Sequence, residues 1–385
     1  MILIKNGKII TMVDKSYDKG CVLIEDNKII KVSQDIQESD EMHIIDAKGG
    51  WVMPGIIESH CHIGLSEEGI RFEGDDINEA TNPITAHLRA IDAINPLDEA
   101  FKDAIAGGIT SVMTGQGSAN VCGGKFLFMK TSGDCIDNMV VKHEAAMKVA
   151  FGENPKRVYS NKQTSPATRM ATAAILRETL CNALNYKNKK EEALKKGELF
   201  DIDLKQECFI DVLNKKIPLK AHAHRADDIL TAIRIAKEFN LDMTLDHCTE
   251  GHLIPEYIKK SGFKAIVGPS LTNRSKVELK NRTFKTSSVL AKHKVEVAIT
   301  TDHPVIPIQY LPICAGFAVK EGLGIEEGLK SITINAARIC GVEDRLGSIE
   351  VGKDADIAIF TGNPMEVFTE TIYTIIDGKI VYHKK

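Results

Sequence analysis

From residue 55 onward, short apolar runs alternate with amphipathic stretches, and no other feature of this chain constrains its fold so tightly. ITSVMT follows NPLDEAFKDAIAGG, LDMTLDH follows DDILTAIRIAKEFN, KAIVG follows PEYIKKSG, and VEVAITTD follows SVLAKHK. The helical stretches carry their own punctuation. Asn95 reads as an N-cap with Pro96 at the first helical position and Gly107 just past the end. Ile229, Leu230, Ile233, Ala236 and Phe239 share one helical face, and Asn240 suits a left-handed cap. Repeated units of this kind predict a parallel sheet with right-handed crossovers. Eight strands are expected, centred near His60, Val112, Leu127, Lys148, Ala221, Leu245, Ile266 and Ile299. Eight parallel strands with helices between them make an α/β chain of the (β/α)8 barrel type. The connection from about 155 to 217 is too long for one crossover. It predicts two or three extra helices, rich in Lys and Glu over 187–196, in the position of a lid or an oligomer contact.

The two ends have a different texture. ILIKNGKIIT alternates around Asn6-Gly7, CVLIEDNKIIKV around Asp26-Asn27, and HIIDAKGG adds a strand and a turn before Pro54-Gly55. These are hairpin signals of a small antiparallel unit. SIEVGKDADIAIF and TIYTIIDGKIVYHKK repeat that character near the C-terminus. Residues 1–54 and about 345–385 are therefore expected to form one small β-sandwich, interrupted by a barrel over 55–344.

Charge and cysteine usage narrow the function classes. Lys and Arg total 49 against 53 Asp and Glu, so no excess positive charge is present to neutralise a phosphate backbone, and nucleic acid is not an expected partner. Apolar residues at 43% and charged residues at 26% exclude disorder, collagen and coiled coil as overall descriptions. The nine cysteines are scattered without a CxxC pair, which predicts reduced thiols. Lys5 and Lys8 interrupt the first apolar run, so no secretory leader is read there. No run approaches the roughly 18 apolar residues that cross a bilayer. A cytoplasmic protein with a small-molecule substrate, no membrane association and a homo-oligomeric state is expected.

Several polar groups fall where the expected strands stop. His60 and His62 close the first, His222 and His224 the fifth, His247 the sixth and Asp302 the eighth. In a barrel these ends share one face, where active sites sit. Residues i and i+2 of a strand point the same way, so His60 and His62 can reach one ion. Imidazole nitrogen with carboxylate oxygen suits zinc or a similar divalent metal. A single strand histidine is more often a hydrogen-bonded packing residue, and His43, His87, His143, His293 and His383 are read that way. Four barrel stations carrying ligands together are not. Cys61, turned off this face by strand alternation, and Cys248 read as small packing residues.

PGIIESHCHIG, then HAH, DH and TTDHP, resembles the amidohydrolase superfamily of metal hydrolases, and GSIEVGKDADIAIF is similar to the closing sandwich motif of its hydantoinase, imidazolonepropionase and metallo-dipeptidase branches. The resemblance implies a distorted barrel with a sandwich from both termini. It carries metal onto His60, His62, His222 and Asp302, with His247 as a second-metal ligand or a substrate-polarising group. It also implies a carboxylated lysine bridging two ions, for which Lys148 in AAMKVAFGENP is the candidate and Lys130 and Lys142 are weaker rivals. One or two ions, zinc first, are expected. Without a bridge the site is mononuclear, as in imidazolonepropionase-like members. Deaminases of the family place Glu three residues after the fifth-strand histidine. Here that residue is Arg225, which cannot shuttle protons, although Glu250 is a conceivable substitute.

The expected reaction is hydrolysis of a C–N amide bond in a dipeptide, an N-acyl amino acid or a cyclic amide. Asp302 accepts the proton of a metal-activated water and passes it to the leaving nitrogen, and His247 stabilises the oxyanion. Arg157, Arg169, Arg225, Tyr159 and His224 are candidates for holding the substrate, an arginine through a carboxylate. The competing class is a non-catalytic scaffold that kept the barrel and lost the ligands; every expected ligand is present here.

Overall fold

The computed structural model describes residues 1–13 and 15–385. The termini share one sheet. Its strands are β1 (Ile2–Ile9), β2 (Tyr17–Glu25), β3 (Lys28–Ser33), β4 (His43–Asp46) and β5 (Trp51–Pro54), completed by β14 (Ile357–Phe360), β15 (Thr371–Ile376) and β16 (Lys379–His383). The order is β16-β15-β14-β5-β1-β2-β3, with β4 also on β1. Asp26-Asn27 and Asp377-Gly378 do join antiparallel hairpin strands, with Asp26, Asp377 and Gly378 at positive φ. Asn6-Gly7 does not. It is a bulge inside the continuous strand β1, marked by a register shift between Ile4 and Gly7. The bulge hands β1 from one parallel partner to the next: Ile2–Lys5 pair with β4, and Lys8 and Ile9 with β5. Glycine is required there because a Cβ on Gly7 would sit 2.5 Å from Val52 Cγ2. The unit is thus mixed rather than purely antiparallel.

The second sheet is the barrel wall, in the order β6 (Ile56–Cys61), β7 (Ile109–Thr114), β8 (Cys122–Lys130), β9 (Val140–Ala150), β10 (Leu219–Ala223), β11 (Met243–His247), β12 (Lys264–Val267) and β13 (Val297–Ile299). All eight expected strands are present, but they are not all parallel. β8 is antiparallel to both β7 and β9. The connections over 115–121 and 131–139 explain this, since a parallel return needs a crossover of a dozen or more residues. The helix after the first strand also starts later than expected. It spans Glu99–Ala106, capped by buried Asp98, whose carboxylate accepts from Ala100 N, while Asn95 holds the turn before it. Asn240 takes the expected left-handed position after the helix Ala226–Glu238.

The long connection between β9 and β10 holds Glu153–Asn161, the 28-residue helix Arg169–Lys196 and two single turns. Leu176, Leu180 and Ala183 of the long helix are buried with Phe209, Val212 and the outer face of the barrel strands. Arg169–Asp228 and Arg177–Glu238 pairs fasten it to the neighbouring helix. It is a wall of the barrel. Among the described residues no helix is long and apolar enough to cross a membrane.

The barrel seam between β13 and β6 has no strand ladder and is closed by a backbone bond, His62 N to His303 O at 2.9 Å, and by side chains. Glu58 accepts from Thr301 N at 2.8 Å, Thr301 Oγ1 at 2.6 Å and His60 N at 3.1 Å, and Thr300 Oγ1 donates to His60 O. Glu58 is fully buried, and burial pushes its carboxyl up to about 7. Removing it orphans buried donors, each worth about 1–3 kcal/mol. Glu58→Ala is expected to lower stability by about 3 kcal/mol, read as a lower midpoint in urea unfolding, while Glu58→Gln, which still accepts, loses less. Equal midpoints for Glu58→Ala and wild type would show that the seam is held elsewhere.

Candidate metal centre

The strand ends bring two groups of ligand atoms together. His60, His62 and Asp302 form one, and His222, His224 and His247 the other, with one ligand atom per residue lying within 4.8 Å of its group partners. Asp302 Oδ1 stands 3.4 Å from His60 Nε2 and 3.3 Å from His62 Nε2, and Asp302 Oδ2 is 4.0 Å from His247 Nδ1. The His222 ring centroid is 4.4 Å from that of His247, and His60 is 5.0 Å from His247. Lys148 lies two residues before the end of β9, fully buried, with Nζ 3.3 Å from His60 Nε2. β8 passes beside it through Gly123, where a Cβ would come 3.5 Å from Lys148 Cγ. His247 and Asp302 both hold left-handed backbone, φ 70° and 55°, a conformation that costs energy outside glycine and clusters at functional sites.

The Nδ1 atoms fix three of the rings. His60 Nδ1 lies 2.9 Å from Asp246 Oδ2, His62 Nδ1 2.6 Å from Gly115 O, and His247 Nδ1 2.8 Å from Gly268 O. An oxygen without a proton only accepts, so each Nδ1 carries the hydrogen and the neutral ring presents a bare Nε2. Burial holds His60, His222 and His224 below the usual imidazole range and pushes His247 down to about 3. Lone pairs are therefore available without first losing a proton. Burial pushes the Asp302 carboxyl up, but His247, then His60 and His62, outweigh it and hold it well below the usual carboxylate range. Lys148 is pushed down to about 8 by burial, with Asp246 and Asp302 opposing.

The donor set fits a divalent cation. Both nitrogens of His222, His247 Nε2 and Asp302 Oδ1 are buried without a hydrogen-bond partner. Buried polar atoms are almost always satisfied, and a cation at these strand ends would satisfy one nitrogen of His222, His247 Nε2 and Asp302 Oδ1.

The structure does not bring every expected residue here. Lys130 lies at the opposite end of its strand, buried between Asp354, Asp356 and Asp377, where it ties the barrel to the terminal sheet. Lys142, near the start of β9, lines a separate surface cavity with Lys215 and Arg338. Arg169 is spent on Asp228, half-buried Arg225 on Asp227, and Tyr159 is buried with its hydroxyl on Asn120. Arg157 is exposed. None of the four lines the cavity over the strand ends. Glu250 accepts from Ala226 N and Asn281 Nδ2, at the start of a helix. His224 does line the cavity, with Nδ1 2.7 Å from Thr249 Oγ1 and its ring stacked on His247. Cys61 and Cys248 are buried and free.

Four residues near the site were not anticipated. Asp246 orients His60 and is paired with buried Lys220, whose Nζ also donates to Ser59 O. The DH and LKAHAH motifs contain both residues, each one strand period or less from a ligand. Lys276 lines the cavity and Glu278 is buried beside it, both on a loop with no recognisable pattern. Glu278 Oε1 is 3.7 Å from His224 Nε2 and 4.0 Å from His222 Nε2. The cavity encloses about 260 Å³.

The amidohydrolase family model matches residues 214–382. Over its whole length the chain superposes on an amidohydrolase from Thermotoga maritima MSB8, with TM-score 0.97 and 43% identity covering 100% of both chains. It is 28% identical over 386 residues to Amidohydrolase tasK of Hapsidospora irregularis, covering 93% of this chain and 39% of that longer protein. It is 24% identical over 420 residues to an imidazolonepropionase of Thermoplasma volcanium, covering 98% of this chain and 97% of that one. A prolidase complexed with N-methylphosphonate-L-proline shares the fold at TM-score 0.63 and 16% identity, over 100% of both chains.

Proposed function

The chain belongs to the amidohydrolase superfamily, and on that premise we propose that it is a metal-dependent hydrolase cleaving a C–N amide bond in a small substrate: a dipeptide, an N-acyl amino acid or a cyclic amide. The observation that carries this reading is the set of bare, buried ligand atoms. His62 and His247 have Nδ1 committed to a carbonyl oxygen, His60 Nδ1 stands 2.9 Å from Asp246 Oδ2, and the Nε2 atoms turn to Asp302, Lys148 or the cavity. His60, His62 and Asp302 would hold one divalent ion and His222 and His247 a second, zinc being the first expectation for such donors. Lys148, as a carbamate, would bridge them. Bound there, the metal supplies Lewis acidity and brings the pKa of water toward about 7.

The chain's own groups do the rest. Asp302, whose carboxyl lies well below the usual carboxylate range, accepts the proton of the attacking water at its free carboxylate oxygen and returns it to the leaving nitrogen. His247 is a ligand in this scheme. Its Nδ1 hydrogen is committed to Gly268 O, so its bare Nε2 has no proton to offer a substrate oxyanion. Deamination is disfavoured, because Arg225 and Glu250 are both engaged away from His222.

Asp302→Asn keeps the size and one oxygen ligand and removes the base. It is expected to retain bound metal while kcat falls by about 10²-fold or more. Metal analysis and turnover of an N-acyl amino acid panel check this, and near wild-type kcat with full metal would rule out Asp302 as the base.

A further inference from the structure

Within that proposed amide hydrolysis, we infer that Lys276 is the residue that selects substrate, by binding a carboxylate one residue away from the scissile amide. Among the described residues Lys276 is the sole lysine or arginine lining the cavity over the metal ligands. It sits on the loop between β12 and the helix Lys285–Lys292, with a side chain 20% exposed.

Two observations make it a positioned cation rather than a solvated one. Nζ donates to Asn154 Oδ1 at 3.0 Å and to Glu278 Oε1 at 3.3 Å. Both partners are themselves held: Asn154 Nδ2 donates to Ser118 Oγ, and buried Glu278 accepts from Glu153 N. An ammonium has three donors, so one remains for the cavity. Fixing it beforehand removes much of the rotamer entropy that a free lysine loses on binding.

The second observation is reach. Glu278 Oε1 lies 3.3 Å from Lys276 Nζ and 3.7 Å from His224 Nε2, which puts the ammonium within about 7 Å of the histidine group. A single α-amino-acid residue spans that interval, since successive Cα atoms are only about 3.8 Å apart. A scissile acyl carbonyl at the strand ends therefore places the carboxylate of the amino acid on its nitrogen side at Lys276. Ile77, Pro269, Leu279 and Val305 supply an apolar wall for the side chain between. The substrate class is an N-acyl α-amino acid or a dipeptide with a free C-terminal carboxylate, in preference to an uncharged cyclic amide.

The test uses the purified metal-loaded protein and matched pairs: N-acetyl-glycine, -alanine, -leucine, -phenylalanine and -proline, each against its C-terminal carboxamide. Calorimetric Kd and kcat/KM are measured for wild type, Lys276→Arg, Lys276→Gln, and Lys276→Met combined with Glu278→Gln, which leaves no buried carboxylate without its counter-charge. A charge-assisted contact predicts that wild type favours the best acid over its amide by about 30-fold, in Kd and KM rather than kcat. Lys276→Arg retains most of that ratio. The other two variants bring it close to unity. A wild type that binds no acid, or that binds acid and amide equally, overturns the assignment whatever the variants do. So does an unchanged ratio in a folded Lys276→Gln or double variant. The two readings separate cleanly. Preferential binding of acids without any hydrolysis sinks the amide-hydrolase reading and keeps Lys276, whereas equal hydrolysis of acids and amides does the reverse.

Discussion

His60→Ala and His222→Ala are expected to abolish both metal retention and hydrolysis. Each removes a buried imidazole for which no neighbour substitutes: His60 is 3.3 Å from Lys148 and 3.4 Å from Asp302, and His222 faces its group with both nitrogens unpartnered. Metal binding to such a site is strongly coupled to having every ligand in place, because the remaining atoms must still lose their own solvation. Turnover should fall by on the order of 10³-fold or more, since the metal provides both the acidified water and the Lewis acid. Elemental analysis after dialysis, with kcat/KM on the best substrate, reads both effects. The two variants need not be equal in metal count. His60→Ala empties the group of His60, His62 and Asp302, and His222→Ala that of His222 and His247. Full metal content in both would place the ions somewhere else in the protein.

Lys148→Ala is the second large effect. A protonated lysine between two divalent cations is repelled by both. If its neutral amine adds CO₂ and sheds a proton, a carbamate forms, and the side chain becomes an anion with two oxygens. The sign of its interaction with the metals is then reversed, and one oxygen is available to each ion. Burial already holds this amine down to about 8, in a fully enclosed position. Lys148→Ala should lose one of two ions and most activity. Acetate or propionate in millimolar excess should restore part of both by occupying the vacated volume, and bicarbonate should speed assembly of the wild-type centre from apo-protein. A wild type that holds a single ion, with an alanine variant that keeps that ion and wild-type kcat, would leave the bridge without a role. The centre would then be the mononuclear kind, held by His60, His62, His222 and Asp302.

Much of this architecture is written locally, which is why it can be read. Each barrel strand is a short apolar run, and the ligands fall at run ends because a strand that leaves the core must change polarity there. Periodicity, however, carries no direction. Nothing in CGGKFLFMK says that β8 runs against its neighbours; the short flanking connections do. Asn6-Gly7 was misread for a related reason. A residue pair suited to positive φ makes a hairpin or a bulge depending on what lies beyond it, and Val52 settles the matter from a distant strand. Arg169, Arg225 and Tyr159 illustrate the harder limit. Their chemistry suits a substrate, but Asp228, Asp227 and Asn120 claim them first, and those pairings depend on three-dimensional neighbours. Lys276 has the opposite history: an unremarkable loop lysine whose value comes entirely from Asn154 and Glu278.

The shared terminal sheet has a consequence for biosynthesis. β5 finds its antiparallel partner only in β14, some 300 residues later, where Trp51–Pro54 pair with Ile357–Phe360. A chain emerging from the ribosome can form the β2–β3 hairpin and the β1–β2 ladder at once, but the outer edge of β5 must wait until nearly the whole barrel has been made. Throughout that interval Val52 and Met53, fully buried in the finished protein, border an open strand edge, the kind of surface on which nascent chains associate wrongly. The same pairing is a completeness check. A chain stopped before residue 357 leaves that edge of β5 without its partner.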